Sequence, residues 1–299
     1  MGRRRLQEQT MKDNFLFAAV MLEGDNCKDV LSCVLGMEIE HIEVSREKNV
    51  VYNPEYHGIR LDVFAKGTDR THYNVEMQVV KQKLERRSRY YHDQMDMELL
   101  TAGTGYEELP DTYVIFICDY DPLGFGKYRY TIEYELEEAP GYHYEDGRHT
   151  IFLSTKGKND SEVPEQLVHL LHFIGASLPE SMEEYDDELV RRLQQTVKRI
   201  KNDREMGARY MLFEELLNEE RSAGRVEGRA EGRAEGRAEG RAEGRAEAIV
   251  LVLSKLGEVP ETLKVKLNTI TDINELDRLF ECALDAERIE AFEEAVQNL

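Results

Sequence analysis

The sequence predicts a mixed α/β domain followed by an all-helical tail, and three observations predict it. Between residues 37 and 155, short segments rich in β-branched and aromatic residues alternate with turn signals and enclose one long stretch free of Gly and Pro. From Pro164 onward, apolar residues recur at helical spacing and no further strand-type segment appears. Residues 228–247 are five tandem copies of Gly-Arg-Ala-Glu, with helix-forming sequence on both sides.

Residues 13–36 read as two helices. Asp13 can cap the first, which bears Phe15, Leu16, Ala19 and Leu22; Gly24 interrupts, and Val30, Leu31 and Val34 precede a terminating Gly36. Residues 37–51 suit a strand with its approach, ending at an Asn53-Pro54 break. Strands over 60–66 and 73–80 then flank a turn at Gly67, Thr68 and Asp69. Residues 82–102 read as one long helix. The run TYVIFIC over 112–118 has the composition of a strand buried on both faces, and Asp119-Tyr120-Asp121-Pro122 turns the chain. Two further strands are expected over 128–137 and 149–155. Helices follow, with Leu189, Leu193, Val197 and Ile200 on one stripe and Met206, Tyr210, Phe213, Leu216 and Leu217 on the next.

In the tetrapeptide repeat, Arg recurs over Arg and Glu over Glu at i,i+4, and one residue in four is Gly. A solitary helix of that kind is marginal, at about 1 kcal/mol per Gly relative to Ala. A charged linker is one outcome. The flanking sequence favours the other, a helix whose Gly and Ala rows admit a partner helix. Three amphipathic helices then close the chain over 260–267, 272–284 and 286–299. The expected division is a core over 1–160, a helical extension over 161–222, the repeat region over 223–247 and a small helical module over 248–299.

With 41% hydrophobic residues, the 299-residue chain can bury a sizeable core. The net charge of −21 is unevenly spread: residues 1–90 are nearly balanced, and the acidity lies beyond them. The candidate site therefore escapes most of the repulsion that a phosphate-backbone partner would meet. No apolar run approaches 18 residues and the first residues lack the apolar segment of a signal peptide, so a cytoplasmic protein without a membrane partner is expected. Four dispersed cysteines without CxxC spacing read as reduced thiols.

The chemistry concentrates on the segment over 59–80. Alternation puts Val75, Met77 and Val79 on one face and Asn74, Glu76 and Gln78 on the other, and aligning the apolar faces brings Asp62 to Glu76 and Gln78. Two carboxylates and an amide suit a hard divalent cation such as Mg²⁺, with Asp62 and Glu76 as the metal ligands. A plain hairpin with one solvated face explains the same pattern without an ion. Lys81, Lys83, Arg86, Arg87 and Arg89 follow directly and could grip backbone phosphates, or form a solvated helix face. Weaker signals are Asp119 and Asp121, which also serve as turn formers, Tyr90-Tyr91, read as packing and phosphate contacts, and His169 with His172, which lack a completing metal set.

The segments MKDNFLF, IRLDVFA, YNVEMQ, RSRYYHDQM and VIFICDYDP together resemble PD-(D/E)XK nuclease family transposases of the recombination-promoting nuclease type, over roughly residues 11–220. That resemblance implies a restriction-endonuclease-like αβββαβ core with a C-terminal helical extension. It implies Mg²⁺-dependent cleavage of DNA, with Mn²⁺ as a substitute ion. By position Asp62 is the motif Asp and Glu76 the (D/E); Gln78 occupies the place of the general motif's Lys, and Asp13 matches the acid of the first helix. The expected activity is a DNA endonuclease of low sequence specificity, in recombination or defence. A regulatory or assembly protein that retains the fold and forms homo-oligomers through its C-terminal half is the alternative.

Overall fold

The computed structural model describes residues 5–50, 59–68 and 70–297, and at 46–50, 59–62, 220, 221, 223, 227, 231, 235 and 295–297 the backbone alone. The expected Asn53-Pro54 break and Asp69 of the turn lie outside the described residues. The chain divides into two compact units, one ending at Phe213 and the other running from Glu214 to Leu299.

The first unit is built on one sheet. Helices α1 (Asn14–Met21) and α2 (Gly24–Leu35) precede strands β1 (Ile42–Val50), β2 (Ile59–Gly67) and β3 (His72–Gln78). Helix α3 (Glu85–Leu99), strands β4 (Thr112–Cys118), β5 (Arg129–Ile132) and β6 (Arg148–Ser154), and helices α4 (Glu165–Gly175) and α5 (Glu188–Asn202) follow. The strand order is β1-β2-β3-β4-β6-β5. Strand β2 pairs antiparallel with β1 and β3, and β5 pairs antiparallel with β6, whereas β3, β4 and β6 run parallel.

Alternation along the strands produces two cores. Val63, Ala65, Tyr73, Val75, Met77, Ile115, Ile117, Ile151 and Leu153 pack with α1, α2, α4 and α5. Phe64, Val114, Phe116, Cys118 and Phe152 face the other way, toward Leu84, Tyr91 and Met95 on the α3 side. Every residue of β3 is buried. The alternative of a plain hairpin with one solvated face does not hold: α3 covers that face, because β3 is an interior strand of a two-sided sheet. Strand β3 also stops at Gln78, and Val79 and Val80, expected within the strand, are exposed.

The expected strand over 128–137 shrinks to Arg129–Ile132, where the pairing with β6 ends. Beyond it an exposed excursion is closed by the isolated bridge between Glu135 and His143. Helix α3 is likewise shorter than expected and leaves Lys81 and Lys83 in the preceding loop.

The 50-residue helix α6 (Arg204–Leu253) begins in the first unit, where Tyr210 is buried with its ring edge-on to Phe15, and carries the whole repeat as helix. A Cβ built at Gly228, Gly232, Gly236, Gly240 or Gly244 meets nothing within 4 Å. In the second unit, Ala242, Ala246, Ile249 and Leu253 of α6 pack with Leu263 of α7 (Glu261–Thr269), Leu276 and Leu279 of α8 (Ile273–Asp285), and Phe292 of α9 (Ile289–Gln297). Among the described residues, no helix is long and apolar enough to cross a membrane.

Candidate active site

Strand β3 carries polar side chains into an otherwise apolar layer. The register sets Asn74 opposite Phe64, Glu76 opposite Phe116 and Gln78 opposite Cys118, so all three share the α3 face. Glu76 is 1% exposed and Gln78 8%. A carboxylate so placed is costly unless paired and hydrogen-bonded. Arg87 supplies one such partner, with Nη2 donating to Glu76 Oε2 at 2.9 Å. The Arg87 guanidinium lies 5.1 Å from the Tyr91 ring centre and 5.7 Å from that of Phe116, and its Nε donates to the Tyr91 hydroxyl at 2.8 Å. Planar guanidinium chemistry suits this position: one face stacks while the edge donates.

Helix α3 is what delivers Arg87. Its inward stripe is Leu84, Tyr91 and Met95, with Ser88 and His92 also buried, and Arg86 and Arg89 remain exposed. The basic residues expected to act together thus separate. Lys81, Lys83, Arg86 and Arg89 face solvent, and Arg87 turns inward to Glu76. His92 fixes the helix to the sheet: its Nδ1 lies 2.9 Å from the Thr112 hydroxyl of β4 and its Nε2 3.0 Å from that of Thr150 in β6. Burial, helped by the positive charge of Arg148, pushes the His92 imidazole down to about 4.

Other predicted residues divide as follows. Asp62 lies on the β2 backbone directly before Val63, which pairs with Val75, the neighbour of Glu76; its side chain lies outside the described residues. The Gln78 amide oxygen accepts from the Gln82 side-chain amide. Asp13 caps α1 by accepting from the Leu16 N–H at 3.1 Å, and α1 packs in the core of the opposite face. Asp121 is a turn former, its carboxylate accepting from the backbone of Leu123, Gly124 and Gly126 and from the Tyr130 hydroxyl. His169 lies beside Glu165 and Asp187, while His172 contacts the Tyr128 hydroxyl, so the two histidines do not share a site.

Tyr91 and Asn74 take roles beyond those the sequence suggests for them. Tyr91, expected to serve packing and phosphate contacts, also joins Arg87 through its hydroxyl, which lies 3.5 Å from Glu76 Oε2. The Asn74 amide nitrogen lies 3.5 Å from Glu76 Oε1, while its Oδ1 is buried with no hydrogen-bond partner among the described residues. The four-residue spacing of Arg87 and Tyr91 was the available signal, since it places both on one helix face.

This set fits a hard divalent cation in kind. A buried carboxylate, the Gln78 amide oxygen and the unpaired Asn74 oxygen are all oxygen donors, the type Mg²⁺ takes, and a cation or its water would satisfy the Asn74 atom. Among the described residues, no group of three or more His, Cys, Asp and Glu could hold a metal, and the side chain of Asp62, the second carboxylate of the expected pair, lies outside them.

The family model for PD-(D/E)XK nuclease family transposases matches residues 16–223, which covers β2, β3, α3 and β4 and begins just after Asp13. No curated protein and no solved structure matches the chain. The mixed α/β architecture, with its six-stranded sheet and buried Glu76, accords with that match. By it, the chain belongs to the PD-(D/E)XK nuclease family transposases.

Proposed function

We propose that the protein is a Mg²⁺-dependent DNA endonuclease of low sequence specificity with a restriction-endonuclease-like core, acting in recombination or defence. The observation that carries this reading is Glu76, a nearly inaccessible carboxylate on an interior strand, with Gln78 two residues further on the same face. Apolar packing alone gives no reason for a carboxylate there. Antiparallel continuation from Val63 and Val75 brings the Asp62 position beside Glu76.

In this reading Glu76 and Asp62 hold the ion. When bound, Mg²⁺ would acidify a water and offset charge developing on the transferring phosphate. Gln78 orients a water or a phosphate oxygen by hydrogen bonding and carries no charge. Arg87 and Tyr91 fix the Glu76 carboxylate in the apolar layer before an ion arrives, and Arg87 can turn its remaining N–H groups to substrate phosphate once Glu76 is engaged. Asp13, the N-cap of α1, keeps only its positional match to the acid of the family's first helix, since α1 packs on the sheet face away from Glu76. Lys81, Lys83, Arg86 and Arg89 contact the DNA backbone from the loop and the outer face of α3.

Self-association through α6 accompanies this activity, supported by the helical repeat and by the open space at each of its glycines. Plasmid relaxation tests the activity. Nicking in Mg²⁺ that is absent in EDTA, and lost in both Asp62→Ala and Glu76→Ala, is expected. Full activity in either variant would refute the assignment.

A further inference from the structure

Strands β3, β4 and β6 run parallel, so Gln78, Cys118 and Ser154 end together on one rim of the sheet. Ligands of open α/β sheets favour the crevice outside such carboxyl ends. One residue past β4, the Asp119 backbone N–H donates to the Gln78 carbonyl at 2.9 Å, which fixes Asp119 beside the candidate site. Its carboxylate gathers three donors. Lys156 Nζ lies 2.8 Å from Oδ1, the Thr155 hydroxyl 2.8 Å from the same oxygen, and Lys12 Nζ 3.3 Å from Oδ2. Lys12 is also tied to the Gly175 carbonyl at 3.2 Å, the last residue of α4. Burial alone would raise the Asp119 carboxyl, but Lys156, Thr155 and Lys12 outweigh it and hold the group below the usual carboxylate range.

Two ammonium groups on one carboxylate leave one unit of positive charge. Each ammonium has three donors, and neither spends all of them within the cluster. Lys156 is half exposed, so its remaining donors reach solvent. Glu180 also acts on both lysines, but it is exposed and screened by water, and its carboxylate accepts from the Ser177 backbone N–H at 2.7 Å. Gln78 brings no charge of its own, and this pair is positive charge held in place on the same rim.

We propose that Lys12 and Lys156, gathered by Asp119, form a clamp for a backbone phosphate of the DNA beside Gln78. The proposal rests on the nuclease reading and adds a phosphate-binding site on the far side of the rim from α3.

The experiment measures binding of the full chain to a short DNA duplex by fluorescence anisotropy in EDTA, across a salt series. Each phosphate contact adds about 0.9 to the slope of log K against log salt. Lys12→Gln and Lys156→Gln should each lower that slope by about one and weaken binding several-fold. Lys156→Arg should retain the slope. Lys198→Gln, an equal charge change on α5, should leave it as in the wild type. The half-exposed Lys156 can be replaced without disturbing a core, so its variant decides the matter if Lys12→Gln folds poorly. Wild-type binding with unchanged slopes in both Gln variants would overturn the clamp and leave the nuclease reading intact. An equal loss in Lys198→Gln would also overturn it, as a general charge effect. No duplex binding by the wild type would overturn both readings.

Discussion

Replacing Arg87 by alanine isolates the electrostatics of the candidate site. Glu76 is almost inaccessible and its side chain is 2% exposed, whereas that of Arg87 is 32% exposed. Removing one member of a fully buried ion pair costs about 3–5 kcal/mol, because the remaining buried charge loses that compensation. With Arg87 reached in part by water, the lower end applies, about 3 kcal/mol. For a unit of this size that is a fall in Tm of about 6–12 °C. The same substitution in a Glu76→Gln background leaves no buried charge behind. It then removes only the stacking on Tyr91 and Phe116, about 1 kcal/mol. The coupling energy from a double-mutant cycle, read by urea unfolding, is therefore about 2 kcal/mol. Equal costs of Arg87→Ala in the two backgrounds would refute the claim that Glu76 is a charged group neutralised by α3.

Two further predictions concern a buried histidine and the thiols. His92 titrates at about 4 in the folded protein, below its ordinary value of 6.5, so the unfolded chain binds more protons between those values. Stability should then fall as pH drops from about 6.5 to 4, by up to about 3 kcal/mol from this residue, and be unaffected by it above that window. Urea unfolding of His92→Gln should be less pH-dependent than wild type over that range, and identical profiles would contradict the assignment. The thiols of Cys27, Cys33 and Cys118 are pushed up to about 12, chiefly by burial, whereas Cys282 is exposed. Titration with a thiol reagent should find one rapidly reacting group in the native protein and four after unfolding; two or more fast native thiols would contradict the packing.

Local signals in the sequence went far. Period-two alternation was enough to put Glu76 and Gln78 on one face, and the apolar run over 112–118 was enough to mark β4 as buried on both sides. Asp13 was legible as a cap because its carboxylate bonds only three residues away. What could not be read depends on tertiary register. Arg87 looked like one of five basic residues on a solvated helix, and only the docking of α3 on β4 and β6 through His92, Thr112 and Thr150 turns it onto Glu76. The cluster of Lys12, Asp119 and Lys156 joins residues from three distant segments, which meet because β3, β4 and β6 run parallel. Strand β5 ends early although its sequence continues to alternate after Ile132: its pairing with β6 stops at Thr150, two residues short of the start of β6.

The central claim is that Glu76 on β3 and Asp62 on β2 share one divalent ion. A crystal soaked in Mn²⁺ and measured for anomalous scattering tests it most directly. A single strong peak within bonding distance of both carboxylates, with Gln78 beside it, is expected. A peak that engages neither, or no peak at Glu76 with Arg87 still bound to it at saturating Mn²⁺, would contradict it.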